Sequence, residues 1–154
     1  MICLGNNFDR DDLINIALEA RSPLYLEDFK PVFHNYMINL FDVEKALEKI
    51  ITLIYRHENQ SVGYLSFTNY TENNSIEIDQ LFVLPEFQKR GFGNEMVKTC
   101  EDIASKFKVN KILVASEDTA INFYKKRGYI LNGDTYKSIL IIGKEYQYLQ
   151  KILN

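Results

Sequence analysis

The chain has 154 residues, 46% hydrophobic and 25% charged, with a formal net charge of −3. Those values suit a single domain over residues 1–154 and argue against the basic surface that general nucleic-acid binding requires. Cys3 and Cys100 stand in no metal or redox spacing, no apolar run nears the roughly 18 residues of a membrane span, and no basic leader precedes an apolar core; the expectation is a cytoplasmic protein.

In chain order, residues 2–4 suit a short first strand, and Asp9 offers an N-cap to a helix whose apolar positions Leu13, Ile14, Ile16, Ala17, Leu18 and Ala20 lead to Arg21. Ser22-Pro23 breaks it. Further helices are expected at 26–40, re-entered at Pro31, and at 43–49 behind Asp42. The pattern then changes. Residues 51–55, 62–70 and 75–84 are β-rich and separated by polar turns at 57–60 and 71–74, which makes an antiparallel meander. After Pro85 the chain turns helical, with Met96, Val97, Cys100, Ile103, Ala104 and Phe107 on one face and Cys100 as a buried thiol. Residues 111–115 are almost wholly apolar, as in a strand covered on both faces. A short helix is expected at 119–127, with Gly128 at its left-handed end, and a closing hairpin from 139–142 and 146–149. The order is mixed α/β, with one strand–helix–strand crossover after the meander.

The corner between the third meander strand and its helix carries Gln88-Lys89-Arg90-Gly91-Phe92-Gly93. Glycines at 91 and 93 let several backbone N–H groups converge, and the helix behind them adds unsatisfied donors and the positive end of its dipole. A pyrophosphate fits that combination, with Lys89 and Arg90 as countercharge. A plain basic turn is the other reading of the same residues. The segment is neither a Walker loop nor the dinucleotide fingerprint, because the lysine–serine pair and the third glycine are missing.

Here the sequence resembles the GNAT superfamily of N-acetyltransferases. Residues 88–93 match its Gln/Arg-x-x-Gly-x-Gly/Ala signature, and Leu81-Phe82-Val83-Leu84-Pro85-Glu86 resembles the strand and V-x-P-E turn before it. Ala120-Ile121-Asn122-Phe123-Tyr124-Lys125-Lys126-Arg127-Gly128-Tyr129 is similar to the family's A-x-x-F-Y-x-x-x-G-F segment, and residues 148–153 to its last strand. The resemblance is firm from 76 to 129 and topological before that. It implies the GNAT fold: an α/β (α+β) mixed sheet, central, mostly antiparallel and twisted, with a splayed fourth and fifth strand and flanking helices.

The resemblance further implies acetyl-CoA as co-substrate. Amides of Gln88, Lys89, Arg90, Gly91, Phe92, Gly93 and Asn94 would hold its pyrophosphate, and the backbone of Leu81, Phe82 and Val83 its pantetheine arm. Free donors on that strand would also steady the developing oxyanion. The family tyrosine maps to Tyr124, whose hydroxyl would serve the departing thiolate; packing against the core is its other reading. One position departs from the pattern: where many members carry Asn to touch the pantetheine, this chain has Glu117.

The acceptor is expected to be a primary amine. A lysine-like amine has a pKa of about 10.4, so freeing it at pH 7 costs roughly 4.6 kcal/mol, and a base is needed. Glu77 matches the place of the catalytic glutamate in the family's histone-acetylating branch, and Asp79 shares its strand face by alternation. Both also suit plain surface pairing. His57 is expected to be solvated at a turn. His34 belongs with Tyr25, Phe29, Phe33 and Tyr36 to a segment that would roof the acceptor pocket. Two rivals stand beside acetyl transfer to a small or peptidic amine. One is a toxin-type member acting on aminoacyl-tRNA, which the acidic balance disfavours; the other is an acetyl-CoA-binding sensor without turnover. Pairing of two subunits through the closing hairpin, a homodimer, is left open.

Overall fold

The computed structural model describes residues 1–5, 9–21, 50–70, 73–138 and 143–154. The helices expected at 26–40 and 43–49, with Tyr25, Phe29, Phe33, His34 and Tyr36, lie outside the described residues, as does the strand expected at 139–142. Among the described residues, seven strands form one sheet: β1 Ile2–Leu4, β2 Ile50–His57, β3 Gln60–Tyr70, β4 Ser75–Val83, β5 Lys111–Ser116, β6 Ile130–Lys137 and β7 Glu145–Ile152. Their order is β1-β2-β3-β4-β5-β7-β6. The helices are α1 Arg10–Arg21, α2 Phe92–Lys106 and α3 Ile121–Lys125, with 3-10 turns at Pro85–Phe87 and Asp118–Ala120. The chain divides into two compact units, one of Met1–Phe67 with Gln80–Thr99 and the other of Thr68–Asp79 with Cys100–Asn154.

In the first unit, β1 runs antiparallel to β2 with Ile2 opposite Tyr55 and Leu4 opposite Leu53. The β2–β3 turn places Glu58 and Asn59 at φ 48° and 66°, a pair of left-handed residues whose twist matches that of the flanking strands. Helix α1 buries Leu13, Ile14, Ile16 and Ala17 at helical spacing, and β2 and β3 bury Leu53, Ile54, Val62, Tyr64, Leu65 and Phe67. Each large apolar side chain among them contributes about 1.5–3 kcal/mol. Asp9 sits just ahead of α1 as expected and is itself buried, its Oδ1 accepting from Arg56 Nη2 at 2.7 Å.

In the second unit, β4 pairs in parallel with β5 from Ser75–Lys111 to Ile78–Val114. The ladder stops there although β4 runs on to Val83 and β5 to Ser116. β5 is antiparallel to β7 over its whole length. Its residues alternate between buried (Ile112, Val114, Ser116) and half-buried (Lys111, Leu113, Ala115), so only one face is fully covered, contrary to the expectation from its apolar run.

Three further expectations need correction. The closing hairpin is formed by β6 and β7, and β6 begins at Ile130. Within β6, Asn132-Gly133-Asp134 forms an irregularity: the register shifts between Leu131 and Thr135, Gly133 has φ +90°, and the Asn132 side chain accepts the Asp134 amide at 2.8 Å. Phe107 is not on the buried face of α2 but 67% exposed. The helix closes with Val109 N–H donating to Ala104 C=O and Lys108 N–H to Ser105 C=O, with Lys108 at φ 58°, so the chain reverses at Phe107 and Val109 takes the buried place. The segment after β5 is a 3-10 turn followed by the short α3 rather than one helix; Gly128 follows it at φ +87° as expected.

Candidate active site

The glycine corner lies within the first unit. Leu84 N–H donates to Val62 C=O at 2.8 Å, and Phe87 N–H to Leu84 C=O at 2.9 Å, which closes the turn after β4. The Gln88 amide nitrogen then reaches back to Val83 C=O at 3.0 Å. Lys89 and Gly91 both adopt left-handed backbone, φ 61° and 88°, and bend the chain into α2. The first bond of that helix runs from Glu95 N–H to Gly91 C=O at 3.0 Å, so the amides of Phe92 and Gly93 lie ahead of any intrahelical acceptor. A Cβ built on Gly91 would meet nothing within 4 Å, so the space beside the bend at that position is open.

Aromatic packing fixes this corner, which sequence reasoning missed. Phe92 stacks on Tyr55 with centroids 4.2 Å apart, and Phe87 lies 6.4 Å from Phe92. His57 is half-buried beside both rings, 5.7 Å from Phe87 and 5.5 Å from Phe92, so it is a packing residue rather than a solvated turn histidine. Arg90 lies over the Phe87 ring at 4.9 Å and donates to Glu86 C=O at 3.0 Å, and Lys89, Arg90 and Asn94 are all exposed. On β4, Leu81, Phe82 and Val83 are half-buried. Gly63 on β3 was also missed: a Cβ there would come within 3.0 Å of Phe82 O and 3.2 Å of the Val83 and Met96 side chains. A lone glycine inside a β-rich strand is the signal that could have found it.

The second unit brings Glu77 and Asp79 together on one strand. Tyr148 on β7 donates its hydroxyl to Glu77 Oε1 at 2.8 Å, and Thr68 donates to Asp79 Oδ2 at 2.5 Å. Asp79 offers an exposed edge, yet protein atoms crowd its carboxylate, and desolvation pushes its pKa up to about 6. The Thr68 hydrogen bond opposes that rise and the Glu77 charge adds to it.

Tyr124 is buried at 4% exposure, edge-on to Phe123 and Tyr129 with centroids at 5.1 and 5.5 Å. Its carbonyl accepts the amides of Arg127 and Tyr129, but among the described residues no hydrogen bond engages its hydroxyl. Burial pushes the phenol above its ordinary value, the neighbouring Cys100 adds to the rise, and Arg127 opposes it. Tyr129 is pinned in turn: its hydroxyl donates to Glu101, which also takes Lys151 Nζ at 3.0 Å on both oxygens. Cys100 is fully buried as expected, and desolvation pushes its thiol up. Glu117 faces a counter-ion: Lys144 Nζ lies 3.7 Å from Glu117 Oε2 and 3.8 Å from Asp118 Oδ2.

A mixed seven-stranded sheet with a parallel β4–β5 ladder and flanking helices matches the GNAT fold, a fold of acyl-CoA-dependent transferases. The model of the acetyltransferase (GNAT) family matches residues 10–129. The chain belongs to this family of acetyl-CoA-dependent N-acetyltransferases and is an acyltransferase with acetyl-CoA as co-substrate. Among curated proteins, no sequence matches it. Among solved structures, the PaiA N-acetyltransferase of Thermoplasma acidophilum in complex with coenzyme A is similar at TM-score 0.78 and 17% identity, covering 99% of this chain and 98% of that one. A ribosomal-protein-alanine N-acetyltransferase from Brucella melitensis is similar at TM-score 0.69 and 21% identity, with 99% of each chain covered. An aminoglycoside 6′-N-acetyltransferase complexed with coenzyme A is similar at TM-score 0.73 and 14% identity, covering 99% of this chain and 96% of that one. At these identities the likeness concerns the fold. No described helix is long and apolar enough to cross a membrane.

Proposed function

We propose that the protein acetylates a primary amine by direct attack on the thioester in a ternary complex, with no covalent acyl-enzyme. The observation that carries this reading is the open left-handed bend at Lys89 and Gly91, which ends on the leading amides of α2. Those amides and the helix dipole suit a diphosphate, and the exposed Lys89 adds countercharge, so the residues present fit coenzyme A. When bound, acetyl-CoA supplies the activated acetyl thioester.

The remaining roles fall to the chain's own side chains and backbone. Residues 81–83 orient the pantetheine arm through main-chain groups, while residues 88–94 hold the phosphates. Asp79 is the better base of the acidic pair. Its carboxylate, with a pKa of about 6, is ionised at pH 7 yet still holds a proton better than an ordinary aspartate. Glu77, fixed by the Tyr148 hydroxyl, keeps a second negative charge beside the acceptor and so attracts a cationic amine. The Tyr124 hydroxyl, engaged by no described group, is available to donate a hydrogen bond to the departing sulfur. Lys144, shared between Glu117 and Asp118, offsets part of the negative charge at the position where many members carry Asn.

Amines are acceptors for the aminoglycoside and ribosomal-protein-alanine enzymes that share the fold, and the same class is proposed here. Calorimetry with coenzyme A, followed by thiol release from acetyl-CoA across a panel of primary amines, tests the reading. Saturable binding with amine-dependent release is expected. Binding without release on any amine would leave a sensor and overturn the catalytic assignment, and no binding at millimolar coenzyme would overturn the phosphate cradle.

A further inference from the structure

We infer that Tyr55 is a positioning residue of the diphosphate cradle: from β2 it braces the first turn of α2 and ties up the Glu95 carboxylate, which would otherwise compete with the co-substrate's phosphates. It rests on the coenzyme A reading of residues 88–94 and adds what keeps that cradle free for an anion.

Two contacts at different parts of one side chain carry the assignment. Tyr55 is buried, and its ring stacks on Phe92 with centroids 4.2 Å apart and planes 15° from parallel. Phe92 is the first residue of α2. The Tyr55 hydroxyl donates to the carboxylate of Glu95, three residues further along the same helix. Positions three apart share a helix face, so a single tyrosine holds one face of the first turn. Its own backbone is fixed in the sheet, where Tyr55 stands opposite Ile2 of β1.

Glu95 is the group that needs holding. A carboxylate in the first turn of a helix is drawn to the same positive end and the same leading N–H groups that a diphosphate uses. Without a partner it is a rival for those donors and a like charge beside the incoming phosphates. Among the described residues no ion pair engages Glu95, and the nearby Arg90 lies over the Phe87 ring and donates to Glu86 C=O. The Tyr55 hydroxyl is therefore the described group that takes the carboxylate. A phenol suits that duty. Burial holds it above its ordinary value, the Glu95 hydrogen bond and charge add to the rise, and it remains a donor at neutral pH. Packing alone would be served equally by phenylalanine, because the stack needs only the ring.

The test is calorimetry with coenzyme A on the full chain and three variants. Tyr55→Phe keeps the stack and releases Glu95, so affinity should fall about threefold, and the difference from wild type should shrink in about 1 M salt. Glu95→Gln, a change at an exposed position, removes the competing charge and should bind at least as tightly as wild type. Adding Tyr55→Phe to Glu95→Gln should then change the affinity by less than about twofold. That rescue separates action through Glu95 from a structural role, under which the lost hydroxyl weakens binding in both backgrounds. Equal losses in both backgrounds, wild-type affinity in Tyr55→Phe, or weaker binding by Glu95→Gln would overturn the inference and leave the cradle standing. A wild-type chain that does not bind coenzyme A would overturn the cradle, and this inference with it.

Discussion

Replacing Tyr124 by Phe removes one oxygen that no described group engages, while the ring contacts to Phe123 and Tyr129 stay in place. Stability should therefore change by no more than about 0.5 kcal/mol, which for a chain of this length moves the melting temperature by about 1–2 °C. Rate is another matter. A positioned acid contributes on the order of 10²- to 10⁴-fold. Burial holds this phenol above its ordinary value, so full proton transfer to a thiolate, whose conjugate acid lies near 8.5 in a free thiol, is uphill. On the proposed mechanism the hydroxyl would act as a hydrogen-bond donor during departure, at the low end of the range. A fall in kcat of about 100-fold is expected, or ~2.7 kcal/mol on the barrier. Thiol release at saturating acetyl-CoA and amine reads kcat, calorimetry reads coenzyme A affinity, and a thermal melt reads the fold. The kcat should fall while the other two stay near wild type. A kcat within twofold of wild type would remove Tyr124 from the chemistry, and a parallel loss of coenzyme A affinity would make it a binding residue instead.

For Asp79 as the base, kcat/KM of the wild type should fall as one proton is taken up below about pH 6, and Asp79→Asn should lose most activity together with that limb. Glu77→Gln, by contrast, should raise KM for cationic amines more than it lowers kcat; the opposite split exchanges the two roles. Because the Asp79 pKa is raised, the folded state binds that proton more tightly than the unfolded chain, so wild-type stability declines as pH rises from 3.8 to about 6. Asp79→Asn should flatten this decline in melts taken across that window, and an unchanged slope would place the titration elsewhere. Gly91→Asp sets a bulky anion into the left-handed bend and should abolish coenzyme A binding by calorimetry; wild-type affinity would refute the phosphate assignment. Gly63→Ala forces a methyl to within 3.0 Å of Phe82 O and should cost about 1–3 kcal/mol, a drop of roughly 2–10 °C in melting temperature; an unchanged melt would mean that β3 and β4 separate easily.

Local chemistry made much of the fold legible. Strand β1 and helix α1 fall where the apolar spacing sets them, because a strand edge and an amphipathic turn are written within a few residues. The corner at 88–93 was partly legible for the same reason: glycine favours left-handed backbone, and Gly91 takes it, whereas the left-handed Lys89 beside it carries no such mark. β6 was hidden because Asn-Gly-Asp serves equally as a turn or as a strand irregularity, and only pairing with β7 decides between them. The exposed position of Phe107 was hidden because Lys108 takes the left-handed place that glycine usually marks.

The acidic pair shows where sequence reasoning stops. Alternation on β4 places Glu77 and Asp79 on one face and treats them as equals. What sets Asp79 apart is the crowding of its carboxylate by groups distant along the chain; Thr68, eleven residues away, bonds it and opposes the rise, while Tyr148, seventy-one residues away, bonds Glu77. A base must be ionised at working pH and still accept a proton in the transition state, two demands that an ordinary aspartate near 3.9 meets unevenly. Crowding raises Asp79 toward the point where both are met, and the Glu77 charge adds to that shift. In this reading Glu77 assists as a neighbouring charge rather than as the proton acceptor. Neutralising it in Glu77→Gln should accordingly move the Asp79 limb to lower pH, whereas a Glu77 base would lose the limb altogether.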